Sequence, residues 1–319
     1  MGDVNKGSFR DRSLAAIKKV LPATLKTALW IVQITVGVSF CIFLLRFFGI
    51  LPYISDFLSP VFSYVGLPGE ATLAYVSGYF VNVYSAIAAA ATIGLDAREM
   101  TILAVMVLCS HNMVVETAVQ KKTGTSAMRI VLTRTFSGII LAYVLNLILP
   151  DVGAADFTMV AESAEKGPFF RELLVWLGEA GLLVPKILGI IFLLNILQAL
   201  MAEFGIIRII SRMLRPLMKV FGLSGRCSFL WIVANTLGLA YGGAVMIQEA
   251  GNGKLSARDI DELNVHIGIS HSNLEDIILF ASVGAVWWVL LLSRWTMSML
   301  LVWGLKLEMK IRNSKLKEY

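Results

Sequence analysis

Ser110-His111-Asn112-Met113-Val114-Val115-Glu116 and Ser270-His271-Ser272-Asn273-Leu274-Glu275-Asp276 are two copies of one motif, 160 residues apart. The same offset joins Leu95-Asp96-Ala97-Arg98-Glu99-Met100 to Leu255-Ser256-Ala257-Arg258-Asp259-Ile260, Gly124 to Gly284, and Arg134 to Arg294. Upstream, the offset is 156: Pro60-Val61-Phe62 is answered by Pro216-Leu217-Met218, and Gly66-Leu67-Pro68-Gly69-Glu70 by Gly222-Leu223-Ser224-Gly225-Arg226. One four-residue insertion near Ala250–Lys254 reconciles the two registers, so residues 60–134 and 216–294 are copies of one unit. A period this long is not that of a solenoid. In an apolar chain it points to duplicated halves of a transporter-like fold, with a site at their interface.

The chain is apolar. It is 57% hydrophobic and 16% charged, with a mean hydropathy of +0.75. Ala28–Leu45, Ile139–Leu149, Leu182–Leu200 and Val283–Leu305 are long apolar runs. Runs of about 18–25 residues are what hydrocarbon requires, and soluble domains rarely have this composition. A multi-pass membrane protein follows. Three cysteines, Cys41, Cys109 and Cys227, are too few for a disulfide framework. The first 26 residues are basic and lack the pattern of a cleavable signal peptide. Ser13–Leu21 reads as an interfacial amphipathic helix. The net charge of +6 lies on membrane flanks, so no nucleic-acid partner is expected.

Each half reads in the same order. An apolar helix comes first (Thr27–Phe48; Leu183–Phe204). A short amphipathic segment follows (Tyr53–Val65; Ile206–Phe221). Next is an apolar stretch broken by glycine and asparagine (Glu70–Ile93; Arg226–Ala250). The Ser-His segment comes fourth (Glu99–Gln120; Asp259–Ser282), and a final apolar helix closes the half (Ala127–Leu149; Val283–Leu305). If the broken stretches crossed the membrane, Lys121, Lys122 and the Arg208/Arg212/Arg215/Lys219/Arg226 cluster would lie outside. If they are re-entrant hairpins, nearly all Lys and Arg stay inside, and only Arg98, Lys166, Arg171 and Lys186 face out. Lys and Arg are retained on the cytoplasmic side. The expected fold is therefore an all-α polytopic inverted repeat: six transmembrane helices, two re-entrant hairpins and interfacial helices. Residues 1–26 form a basic cytoplasmic segment, 27–149 the first repeat and 150–182 an acidic extracytoplasmic loop. Residues 183–305 form the second repeat and 306–319 a basic cytoplasmic tail.

Hairpin tips inside a bilayer expose backbone groups, which must be buried in protein or line a cavity. Asn82 in the first hairpin, and Asn235 and Thr236 in the second, offer donors and acceptors there. They either serve a ligand or satisfy the hairpin backbone. Ser110, His111, Asn112 and Glu116, with Ser270, His271, Asn273, Glu275 and Asp276, are the other candidate ligand or ion groups, because ionisable side chains at this depth face a cavity or a partner. On an unbroken helix His111 and Glu116 would point about 140° apart, so a break near the motif is expected. Such groups either bind a ligand or act as hydrogen-bond glue between the halves. Glu116 and Asp276, which align, are expected to serve function more than fold. A metal site built from His111, His271, Glu116 and Asp276 is an alternative suggested by residue type. Arg134 and Arg294 either pair with these acids or snorkel. The Arg208/Arg212/Arg215/Lys219 stripe reads as an anchor toward anionic headgroups. There is no phosphate loop and no nucleophile–base–orienter set, so neither an enzyme nor a cofactor is expected.

Interfacial helix, hairpin, broken helix and helix, given twice, resemble the core of concentrative nucleoside transporters. At the level of motifs the chain is similar to the nucleoside-recognition or Gate-domain membrane proteins. These include spore-maturation-type proteins and are related to the membrane domain of ferrous-iron transporters. The resemblance rests on Gly66-Leu67-Pro68-Gly69-Glu70 with Gly78 and Asn82, Ser110-His111-Asn112, Asn235-Thr236-Leu237-Gly238, and Ser270 to Asp276. The iron transporters' Gly-Cys-Asn-Val-Pro-like element is not among them. The resemblance implies a membrane transport or gating role and leaves the substrate open. With no nucleotide-hydrolysing element, the expectation is an ion-coupled permease for a small polar solute, a nucleoside for example, in the bacterial inner membrane, and the Lys and Arg distribution puts both termini in the cytoplasm. A divalent-metal permease and a non-transporting scaffold or assembly factor are the alternatives, and a homo-oligomer stays open.

Overall fold

The computed structural model describes residues 8–150, 167–251 and 255–315. Among them every regular element is helical. In chain order they are α1 (Phe9–Phe47), α2 (Leu51–Ser63), α3 (Ala71–Phe80), α4 (Val83–Ala91), α5 (Ala97–Ser110), α6 (Met113–Lys122) and α7 (Ala127–Ile148). They continue with α8 (Phe169–Glu203), α9 (Ile206–Met213), α10 (Arg215–Val220), a single 3-10 turn (Gly225–Cys227), α11 (Ser228–Gly251), α12 (Ala257–Ser270), α13 (Glu275–Ala281) and α14 (Trp287–Lys315). Five stretches of the described chain are long and apolar enough to cross a membrane: Phe9–Phe47, Ala97–Lys122, Ala127–Ile148, Phe169–Glu203 and Trp287–Ile311. The sixth expected crossing, Asp259–Ser282, contains Asp259, Asp261, Glu262, Glu275 and Asp276 and is too polar to qualify on composition.

Two helices are longer than their apolar runs. α1 begins at Phe9, not Thr27, because Ser8 and Asp11 close a capping box at its start. Ser13–Leu21 is therefore part of α1 rather than a separate helix, and the expected boundary at residue 26 falls inside it. α8 begins at Phe169, so the expected loop 150–182 is helical from there, while 151–166 lie outside the described residues. The early turns of α8 pack on the aromatic end of α1: Phe169 meets Phe43 and Phe47, and Trp176 meets Phe40 and donates to Ser39 Oγ at 2.9 Å. At the opposite end Phe9 stacks on Phe204, and Arg12 pairs with Glu203 at 3.0 Å. α1 and α8 therefore run antiparallel. At 1.5 Å per residue α1 is about 58 Å long, well beyond the ~30 Å hydrocarbon core.

The first broken stretch folds back on itself. Asn82 Oδ1 caps α4 by accepting from Ser85 N at 2.9 Å. A Cβ placed on Gly78 of α3 would lie 3.0 Å from Ala86 Cβ of α4 and 2.8 Å from Val107 Cγ1 of α5. Contacts this close need small residues, as at helix interfaces in membranes. Gly78→Val will lower stability by about 1–3 kcal/mol through overpacking, read as a fall in melting temperature in detergent. A wild-type melting curve for this variant would mean that α3 and α4 are not closely packed. Its counterpart by register, Ala234, already carries a Cβ.

α5 and α12 form the centre. Every residue from Met100 to Ser110 is buried, and so is every residue from Leu263 to Ser270. α7 packs on α5, and α14 on α12. Matching capping boxes start both central helices, Asp96 with Glu99 and Ser256 with Asp259.

Candidate functional site

Both central helices stop inside the protein at the Ser-His motif. After Ser110 the chain turns extended at His111 (φ −63°, ψ 158°) and left-handed at Asn112 (φ 49°). After Ser270 it does the same at His271 (φ −76°, ψ 174°) and Ser272 (φ 52°). Asn112 and Ser272 are the only non-glycine residues with positive φ among those described. Asparagine tolerates this region through its short polar side chain, and serine less so. Each break is held from outside. Asn112 N donates to Gly78 O at 2.9 Å and Ser272 N donates to Ala234 O at 3.0 Å. In α11 the facing residue Gly238 has φ 72° and ψ 175°, a conformation essentially reserved for glycine. A Cβ there would lie 2.8 Å from Ser272 Oγ.

Breaking a helix strands its last carbonyls. Two buried arginines take them. Arg134 donates from Nε to Cys109 O at 2.9 Å and from Nη2 to His111 O at 2.8 Å. Arg294 donates from Nε to Ile269 O at 2.7 Å and from Nη2 to His271 O at 2.6 Å. The guanidinium supplies five donors in a rigid fork, and the carbonyl end of a helix attracts positive charge. The two halves thus repeat these bonds at the 160-residue register.

The redirected chain brings the two motifs together. His111 Nε2 and His271 Nε2 are 3.3 Å apart, with ring centroids at 4.9 Å. Glu116 Oε1 lies 3.2 Å from His111 Nε2, and Glu116 Oε2 lies 3.1 Å from His271 Nε2. Asp276 Oδ2 lies 3.5 Å from His111 Nε2. Arg134 Nη2 completes the group at 2.7 Å from Glu116 Oε2. The four acidic and imidazole groups are at most 6% exposed. His271 Nδ1 lies 2.7 Å from Ile267 O. A carbonyl has no proton to give, so Nδ1 bears the hydrogen and Nε2 of the neutral ring turns a lone pair toward Glu116 and His111. His111 Nδ1, Arg134 Nη1 and Asp276 Oδ2 have no hydrogen-bond partner among the described residues. Buried polar atoms normally find one, so the cluster keeps unused capacity.

The remaining candidates support this group or lie apart from it. Ser110 Oγ donates to Met106 O at 2.7 Å, and Thr236 Oγ1 to Ile232 O at 2.7 Å. Asn82 is the α4 cap. Asn112 contributes its backbone turn. Asn235 and Asn273 bond to each other, and Arg294 Nη1 donates to Asn273 Oδ1 at 3.1 Å. Glu275 accepts from the Tyr84 hydroxyl, tying α13 to α4. Ser270 Oγ meets His266 Nδ1 at 2.8 Å, beside Trp231 Nε1 at 3.2 Å. Sequence reasoning did not single out Gln198, whose Nε2 donates to Thr236 O at 2.7 Å. The signal for Gln198 was a polar residue within the apolar run of α8.

A cavity of about 260 Å³ lies elsewhere, between α1, α4, α5, α8 and the end of α13. Its polar lining includes Thr35, Ser39, Asp96, Glu179 and Lys186, and none of the four clustered groups borders it.

Comparison with known proteins agrees with the sequence resemblance. The family model described as Gate, nucleoside recognition, matches residues 28–148. An uncharacterised membrane protein of Bacillus subtilis (strain 168), YvoD, is 30% identical over 284 residues, which span 88% of this chain and 91% of the relative. No solved structure matches the chain.

Proposed function

The chain belongs to the nucleoside-recognition Gate family of membrane proteins, and on that premise we propose that it is an ion-coupled permease for a small polar solute. One observation carries the proposal. Ionisable side chains from both halves converge within 3.5 Å at two helix breaks. Discontinuous helices meeting at a repeat interface are how secondary transporters build mid-membrane sites. The antiparallel packing of α1 on α8 supports inverted halves, because these helices hold equivalent places in the two repeats. The fold-back of α3 on α4 supports a re-entrant hairpin. On this reading six segments cross the bacterial inner membrane and both termini are cytoplasmic. The family's description makes nucleosides the first solutes to test.

The test is uptake of labelled nucleosides into proteoliposomes, with and without an imposed proton or sodium gradient. Uptake that requires the gradient is the expected result. In the same vesicles a single cysteine at Lys121 should react from the inside and one at Asp56 from the outside. Labelling of position 121 from outside alone would overturn the inverted topology. The close burial of the four groups favours a second reading, a non-transporting scaffold whose halves are glued at this cluster. Folded protein that moves neither nucleosides nor ions under any gradient would establish it over the first.

A further inference from the structure

We propose that His111, His271, Glu116 and Asp276 form a binding site for a divalent transition-metal ion of the zinc class, with two ligands from each half. The proposal deepens the transport reading and rests on its assignment of this cluster as the ion site. The first support is geometric. Tetrahedral zinc with bonds of about 2.0–2.1 Å to nitrogen and oxygen requires ligand atoms about 3.3–3.4 Å from one another. His111 Nε2 lies 3.3 Å from His271 Nε2 and 3.5 Å from Asp276 Oδ2, and Glu116 reaches His271 Nε2 through Oε2 at 3.1 Å and His111 Nε2 through Oε1 at 3.2 Å, so one of its oxygens must turn inward to complete the set. The ligating atoms of His111, His271 and Asp276 all fall within 4.8 Å of one another.

The second support is a shortage of protons. With both rings neutral, His271 Nε2 offers a lone pair, the two carboxylates offer only acceptors, and the single N–H of His111 can meet only one of them. Arg134 answers Glu116 alone. Asp276 Oδ2 has no hydrogen-bond partner among the described residues, and it lies 3.5 Å from His111 Nε2. Lone pairs crowded in a buried space repel unless a cation sits among them. The third support is the Ile267 carbonyl on His271 Nδ1. Ligating imidazoles almost always donate their second ring N–H to such a partner, which fixes the tautomer. Imidazole with carboxylate selects zinc, cobalt and their neighbours over magnesium.

The test uses the full chain purified in detergent, stripped with chelator, loaded with Zn²⁺ or Co²⁺ and desalted. One equivalent per chain is expected, with the visible absorption of four-coordinate cobalt and no competition from Mg²⁺. His271→Gln and Asp276→Asn should each weaken binding at least about tenfold, or 1.4 kcal/mol. Asp261→Asn, outside the cluster, should retain the full equivalent. Wild-type protein that melts cooperatively yet holds no ion overturns the proposal. So does full retention in both His271→Gln and Asp276→Asn. Solute flux in metal-stripped vesicles separates the two readings. Flux in stripped vesicles from a wild type that retains no ion overturns this proposal and leaves the permease standing, with a proton in the cluster. Metal binding without flux does the reverse.

Discussion

Replacing Arg134 with methionine will destabilise the fold by about 3–5 kcal/mol, the cost typical of removing one partner of a buried ion pair. The guanidinium is 1% exposed. It holds Cys109 O and His111 O at the end of α5 and lies 2.7 Å from Glu116 Oε2. Methionine fills much of the volume but leaves two carbonyls and a carboxylate without their donor. Arg294→Met should cost less. Arg294 holds Ile269 O, His271 O and Asn273 Oδ1, and no acidic group is ion-paired to it among the described residues. Its removal leaves these acceptors without their donor but strands no paired charge. Thermal and denaturant unfolding in detergent check the order. Equal losses at the two arginines would show that the Glu116 pair contributes nothing to stability.

Asp276→Asn will keep or raise the melting temperature and reduce solute flux below about a tenth of wild type, more than 1.4 kcal/mol of function. A carboxylate buried without a close partner is costly, and among the described residues Asp276 is ion-paired only to His111, at 3.5 Å. The isosteric amide removes that cost and also removes the charge available to an ion. Glu116→Gln will behave differently. It severs the Arg134 pair, so stability and flux should fall together. The sequence-based expectation treated Glu116 and Asp276 alike because they align. The structure separates them: Glu116 joins fold and function, while Asp276 is free to serve function alone. Melting curves for both variants beside flux in proteoliposomes make the comparison. A marked loss of stability in Asp276→Asn would show that this carboxylate is glue.

The amino-acid sequence by itself determined a helical membrane protein and pointed to two copies of one unit. Composition, apolar run length and register are local properties, and they survive without knowledge of packing. It also marked where function had to be sought. His111, Glu116, His271 and Asp276 stand out because charge in an apolar segment is costly wherever that segment lies. It even required a break, since His111 and Glu116 diverge on a continuous helix. Tertiary structure alone decided the rest. The antiparallel packing of α1 on α8 depends on aromatic contacts between residues about 120–195 positions apart. The left-handed turns at Asn112 and Ser272 depend on carbonyls of Gly78 and Ala234 supplied by other segments. The meeting of His111 Nε2 with His271 Nε2, and the choice of Arg134 for Glu116 while Arg294 turns to Asn273, come from the packing of one half against the other. Register can say that two residues are equivalent. Only the surrounding side chains fix which equivalent residue receives a partner and which is left with its charge unpaired.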